Sequence, residues 1–226
     1  MKREIIPTAD GSVTISIPSS GVTYHSKHGA IQESMHVFIG AGMHYMLQKD
    51  VTRKHLRILE MGFGTGLNAL LTLQQTLHTG ITVDYETIEA FPLEPEVYSR
   101  LNYCDQLHHP ELPSLFIQLH QSSWNTPHEL TPGFRFIKHN TSLEMFTGSS
   151  PADLIFYDAF APTAQPELWT TAVFTALHQL LTPGGVLVTY CSKGDVRRAM
   201  MAAGFLIEKI PGPPGKREMV RARKDG

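Results

Sequence analysis

The chain is expected to fold as an α/β protein: an open, mostly parallel sheet with helices on both faces, ending in an antiparallel hairpin. Three observations predict this. Apolar runs of strand length alternate with amphipathic runs of helix length from residue 57 onward. A glycine-rich turn joins the first such strand to its helix. The last two apolar runs are separated only by Pro211-Gly212-Pro213-Pro214-Gly215, a connection suited to antiparallel neighbours.

The elements follow in order. Val13, Ile15 and Ile17 alternate with polar residues before Pro18-Ser19-Ser20-Gly21, which reads as a short strand or hairpin outside the main sheet. A helix is expected from about Gly42 to Lys49. Arg57 to Leu59 ends on Glu60, and Ala69, Leu70, Leu73 and Leu77 then repeat at helical spacing until Gly80. Thr82 to Ile88 is the second strand, and Glu94 to Asn102 a helix. Residues 103–132 read as irregular with a helix or two. Phe134–Lys138 and Ala152–Tyr157 are strands three and four. A helix is expected from Pro166 to Leu181, a strand from Val186 to Cys191, a helix from Asp195 to Ala203, and strands from Phe205 to Ile210 and around Glu218 to Ala222.

At 226 residues, 42% hydrophobic and 18% charged, the composition is that of an ordinary globular protein with one full α/β domain. Residues 1–50 are expected as an N-terminal extension packed on a main domain over residues 51–226. No apolar run has the length of a membrane span, and the N-terminus leads into no signal-peptide core, so the expectation is a cytoplasmic protein without a membrane partner. The two cysteines, Cys104 and Cys191, form no framework. The twelve histidines show no ligand spacing with a nearby acid, so surface or loop histidines are expected and no metal. The net charge of −2 hides an asymmetry. From Lys193 onward nine basic residues face four acids, a net of +5, leaving −7 for the preceding 192. That segment suits a phosphate backbone; a solvated surface explains it equally.

Glu60-Met61-Gly62-Phe63-Gly64-Thr65-Gly66-Leu67-Asn68 is the organising stretch. A dinucleotide fingerprint needs glycines at the first, third and sixth places. Here they fall at the first, third and fifth, preceded two residues earlier by an acid, which is the usual opening of a class I S-adenosylmethionine (SAM) methyltransferase. The expected cofactor contacts are Glu60 to an amino group, the Gly62, Phe63, Gly64, Thr65, Gly66 and Asn68 turn to the carboxylate end, and Glu89 with Ala90 to the ribose. Thr141 lies where many such enzymes carry an acid for the adenine amino group, and no acid stands in that place.

Asp158, at a strand end and followed by Phe160 and Pro162, is the expected catalytic residue. A carboxylate there orients an acceptor amine and takes its proton; a strand-end acid capping the next turn is the alternative. Phe160 and Pro162 are expected to cover substrate or cofactor. Lys193, at the start of a helix, and the Lys216-Arg217 pair in the hairpin are expected to meet phosphate, with helix capping by Asp195 and surface solvation as competing explanations.

Taken with Tyr157-Asp158-Ala159-Phe160-Ala161-Pro162, Pro166-Glu167-Leu168-Trp169, Gly194-Asp195-Val196-Arg197-Arg198 and Pro214-Gly215-Lys216-Arg217-Glu218-Met219, the glycine stretch resembles the methyltransferase domain of the MnmC/MnmD type. The resemblance runs from about residue 57 to the end. It implies a class I, Rossmann-like SAM-dependent methyltransferase domain over residues 51–226 that methylates the aminomethyl nitrogen of 5-aminomethyl-(2-thio)uridine at the tRNA wobble position, with Asp158 contacting the amine. It implies the tRNA anticodon arm as partner. No second dinucleotide fingerprint is present, so the oxidase domain of the bifunctional members is expected to be absent and a separate enzyme to supply the aminomethyl-uridine. Two other classes are kept open: a SAM-fold transferase acting on a small amine, as polyamine synthases do, and a non-catalytic SAM-binding module.

Overall fold

In a computed structural model, which describes residues 2–148 and 150–226, the alternating N-terminal residues form a small antiparallel sheet of β1 (Glu4–Pro7), β2 (Val13–Ile17) and β3 (Val22–Thr23). A continuous helical stretch follows: α1 (Ala30–Ser34), a π-helical run over Met35–His44, and α2 (Tyr45–Lys49). The sequence pattern marks only its C-terminal part, from about Gly42 to Lys49. Val37, Phe38 and Ile39 are consecutive and apolar, a pattern without helical period, because the wider π turns bury all three. Gly42 allows this stretch to lie close on the sheet, since a Cβ there would come within 3.1 Å of Phe156 and Val188. Residues 30–49 therefore share one core with the main sheet.

The main chain continues with β4 (His55–Met61), α3 (Leu67–Thr79), β5 (Thr82–Ile88), the short helices α4 (Pro95–Tyr98) and α5 (Tyr103–Leu107), and α6 (Leu112–Gln121). Then come β6 (His128–Thr131), β7 (Phe134–His139), β8 (Ala152–Tyr157), α7 (Thr171–Leu180), β9 (Leu181–Thr189), α8 (Gly194–Ala202), β10 (Leu206–Pro211) and β11 (Glu218–Arg223). The eight-stranded order is β10-β11-β9-β8-β4-β5-β7-β6. The five central strands are parallel and both edges are antiparallel. The class I SAM methyltransferase fold expected from the sequence is the fold observed. One buried cluster, with Ile58, Tyr85 and Phe156, lies under α3, α6 and the π run; the other, with Leu59, Ile155 and Leu187, lies under α7 and α8. Adjacent strand residues point to opposite faces, as the pleat requires.

Four boundaries differ from expectation. The helix over 94–102 is one turn, Pro95–Tyr98. The 103–132 stretch holds α5, α6 and the edge strand β6, which pairs with β7. The helix from Pro166 is two pieces, a 3₁₀ turn over Pro166–Trp169 and then α7, because Thr170 is extended and its hydroxyl caps the N–H of Val173. Thr182–Gly185 lies inside β9, where pairing with β8 shifts register. No helix among the described residues is long and apolar enough to cross a membrane.

Candidate active site

In the sheet order the chain reverses direction between β4 and β8, and the crevice beyond their carboxyl ends is where open α/β sheets bind ligands. The glycine turn fills this place. The N–H groups of Gly62 and Phe63 donate to the carbonyl of Ile88 at 3.0 and 3.3 Å, which ties the turn to the end of β5. Gly62, Gly64 and Gly66 have φ of 92°, 50° and 75°. At Gly62 a side chain would also press on the Asp158 carbonyl at 3.2 Å. Phe63 and Thr65 point the other way, into the protein, at 4% and 1% exposure. Glu89 completes the turn: its Oε2 accepts from the Gly64 N–H at 2.8 Å and its Oε1 from the Phe91 N–H at 2.7 Å.

These elements enclose a cleft of about 310 Å³, within the range of small-molecule sites. Gly62, Phe63, Gly64, Thr65, Asn68, Glu89, Ala90, Asp158 and Phe160 all line it. Asp158 is at its floor. Its N–H donates to the Met61 carbonyl at 3.1 Å, and its Oδ2 accepts from the Asn68 amide at 2.9 Å. Burial, reinforced by the negative charge of Glu33, pushes the Asp158 carboxyl up to about 7. Phe160 meets Tyr24 edge to face at 5.0 Å at the cleft wall.

Glu60 does not line the cleft. It lies within β4, in register with Phe156 and Thr87, and is completely buried beneath the turn. Its Oε2 accepts from the Thr87 hydroxyl at 2.8 Å, with the Asn68 amide and the Tyr85 hydroxyl close by. Burial above all raises this carboxyl to about 8. Glu60, expected to contact a cofactor amino group, thus sits enclosed under the loop and outside the cleft lining. Gly66 faces Phe63 and His120 and not the cleft.

Thr141 and Pro162 are also absent from the lining. The acid missing at Thr141 stands three residues later. Ser142, Leu143 and Glu144 line the cleft because a 3₁₀ turn over Leu143–Met145 bends the chain toward it. Lys216 is not free for phosphate. Its ammonium lies 2.7 Å from Glu33 Oε1, a carboxylate almost fully buried, and 3.9 Å above the Tyr190 ring. Lys193 and Arg217 are exposed and outside the cleft.

Tyr24, His25 and Glu167 line the cleft without having been singled out from the sequence. His25 lies in a loop, one of the two places expected for the histidines, but is buried there: it is 8% exposed and its Nε2 lies 2.8 Å from the Thr65 hydroxyl. The signal available was the position of Tyr24-His25 in a small, polar stretch flanked by elements that pack on the core. Among the described residues no group of three or more His, Cys, Asp or Glu could hold a metal.

Residues 134–225 match the family described as S-adenosyl-L-methionine-dependent methyltransferase. The chain is 35% identical over 225 residues to a tRNA 5-methylaminomethyl-2-thiouridine biosynthesis bifunctional protein MnmC of Aromatoleum aromaticum, covering 90% of this chain and 33% of that protein. It is 31% identical over 216 residues to the protein of the same name from Leptospira borgpetersenii, covering 88% and 32%. The chain thus spans about a third of the length of these relatives. The crystal structure of MnmC2 from Aquifex aeolicus superposes with a TM-score of 0.76 at 27% identity, over 98% of this chain and 70% of that one. A spermidine synthase from Thermotoga maritima, at 14% identity and a TM-score of 0.56 over 99% and 69%, shares the fold. With this fold, this glycine-loop cleft and these likenesses, the chain has the fold of a class I SAM-dependent methyltransferase and is similar to part of the MnmC proteins.

Proposed function

We propose that the protein transfers a methyl group from SAM to the aminomethyl nitrogen of 5-aminomethyl-(2-thio)uridine at the wobble position of tRNA, giving 5-methylaminomethyl-(2-thio)uridine. The observation that carries this reading is Asp158, a carboxylate with a raised pKa of about 7 on the floor of the cleft beside the glycine turn. The names of the MnmC relatives support the substrate class.

The residues fit the cofactor. The Gly62–Thr65 backbone has no side chain in the way at its glycines, Glu89 retains free lone pairs toward ribose hydroxyls, and Glu144 with Ser142 stands at the wall for the adenine end. When bound, SAM supplies an electrophilic methyl group on a sulfonium. Asp158 acts on the acceptor. An amine must be neutral to attack, and a carboxylate that titrates near 7 holds the amine by hydrogen bond and takes its proton with little mismatch. The Asn68 amide fixes the Asp158 carboxylate from the side. Tyr24 and Phe160 offer aromatic edges and faces to a flat base turned into the cleft. The exposed cations of the C-terminal segment, Lys193 and Arg217 among them, meet the anticodon-arm phosphates.

The test is incubation with labelled SAM and tRNA from cells lacking this modification, followed by digestion to nucleosides. Label in 5-methylaminomethyl-(2-thio)uridine is the expected result. Label in polyamines or other small amines, with none in tRNA, overturns the nucleic-acid substrate. Ligand binding with no transfer to any acceptor overturns the catalytic role of Asp158.

A further inference from the structure

A loop with glycine at three of five positions has a floppy backbone, and each glycine loses more conformational freedom on ordering than any other residue. Something outside the loop must hold it if the cleft is to exist before ligand arrives. Only Phe63 and Thr65 have side chains to hold. Phe63 packs among Phe136 and His120, with ring centroids at 5.9 and 5.1 Å. Thr65 is gripped twice. Its hydroxyl lies 2.8 Å from His25 Nε2, and its carbonyl lies 3.2 Å from His120 Nε2.

We propose that His25 and His120 are positioning residues, which together clamp Thr65 and hold the SAM-binding turn in its ligand-ready form. The two imidazoles come from opposite directions in the chain, 40 residues before Thr65 and 55 after it. Each is itself fixed. The His25 N–H donates to the Thr14 hydroxyl at 2.9 Å, its carbonyl accepts from the Thr23 hydroxyl at 2.8 Å, and its ring meets the edge of Tyr103. His120 stacks on Tyr98 with centroids 4.2 Å apart and planes 13° from parallel. The buried ammonium of Lys138 donates to the carbonyls of Leu119, at 3.0 Å, and of His120, so the last turn of α6 is pinned where the ring must be.

A carbonyl oxygen only accepts, so His120 carries its proton on Nε2. The ring is also neutral: burial lowers His120 to about 3 and His25 to about 4. Stacking alone would need neither nitrogen to face Thr65. The distinction between a packing histidine and a clamping one is therefore the N–H, which phenylalanine removes while keeping most of the ring contact.

The clamp is independent of which acceptor is methylated and concerns this chain with or without ligand. The first measurement is nitrogen-15 NMR of the imidazoles in the ligand-free wild-type protein. His120 is expected as the neutral Nε2–H tautomer at pH 7; an Nδ1–H tautomer or a charged ring overturns the proposal. The second uses His120→Phe, His25→Phe and Thr65→Val, with S-adenosylhomocysteine as calorimetric probe. Each variant is expected to bind about tenfold more weakly, with faster hydrogen exchange at the amides of residues 62–66. His120→Gln, which keeps a donor, is expected to recover part of the affinity. Wild-type affinity and wild-type exchange in His120→Phe overturn the clamp. If a phenylalanine variant fails to fold, the tautomer measurement and Thr65→Val decide the question alone.

Discussion

The two ends of the cleft are built on opposite principles. At the glycine-loop end the polar groups are matched: Glu89 accepts two backbone N–H groups, and Thr65 has a partner for both its hydroxyl and its carbonyl. At the Asp158 end they are not. Asp158 holds a carboxyl raised to about 7, and behind it Glu60, raised to about 8, is buried; among the described residues the one cation acting on either is Lys216, at Asp158. A binding surface gains from being satisfied in advance. A proton acceptor gains from being uncomfortable, since discomfort is what moves its pKa toward the working pH. The molecule places its order at one end and its strain at the other.

Replacing Asp158 by Asn tests the strained end and carries the largest expected effect. Turnover falls about 10²–10⁴-fold, the range typical of losing a positioned base, while S-adenosylhomocysteine affinity stays within about threefold by calorimetry. The same variant is expected to be more stable than wild type at pH 8. The sign follows from the carboxyl being raised from its ordinary value of 3.8 to about 7 in the folded state. The folded protein then holds the proton more tightly, so the contribution to stability is full below about pH 4 and is lost as pH climbs through 7. Thermal unfolding at pH 5 and pH 8 reads this directly: the wild type loses ground between the two and Asp158→Asn loses less. In the wild type, kcat/KM rises with pH through about 7.

Glu89→Ala tests the ordered end. Removing the acceptor for the Gly64 and Phe91 N–H groups lowers ligand affinity about 10–100-fold, from the loss of charge-assisted hydrogen bonds, and leaves kcat at saturating SAM nearly unchanged. If kcat falls as far as in the Asp158 variant, the division between the two ends fails.

Lys216→Met addresses a residue that looks like substrate machinery and sits as internal wiring. Glu33 would be left buried and unpaired, destabilising the fold by on the order of 2–3 kcal/mol in denaturant unfolding. The salt dependence of tRNA binding is expected to be unchanged. Arg217→Ala is the smallest effect: no loss of stability, and a decrease of about one in the slope of log affinity against log salt.

Much of this was legible in the residues. Period-two and period-3.6 patterns mark the five parallel strands and α3, and strand-end position alone brings Asp158 to the cleft. What was hidden depends on three-dimensional partners. Val37-Phe38-Ile39 has no helical period because the π run buries three neighbours at once. Glu60 and Glu89 look equivalent as strand-end acids, yet in the β4–β5 register the first is two residues deeper and is enclosed under the loop. Lys216 looks like a surface cation until Glu33, 183 residues away, is folded against it. His25 and His120 have no motif at all, because what selects them is their distance from Thr65.

The strand order has a consequence for how the protein can be divided. Strands β4 to β7, drawn from the first two thirds of the chain, make one side of the sheet, and β8 to β11 make the other. The loop, its two histidines and Glu89 all belong to the first portion, and Asp158 to the second. A cut in the connection between β7 and β8 would give two fragments, one carrying the proposed cofactor contacts and the other the proposed proton acceptor. Neither holds a whole active site, so recovered methyl transfer on mixing them would report reassembly of the central β4–β8 seam and nothing else. The protein is in this sense a natural candidate for a complementation reporter, with its seam running through the proposed reaction centre.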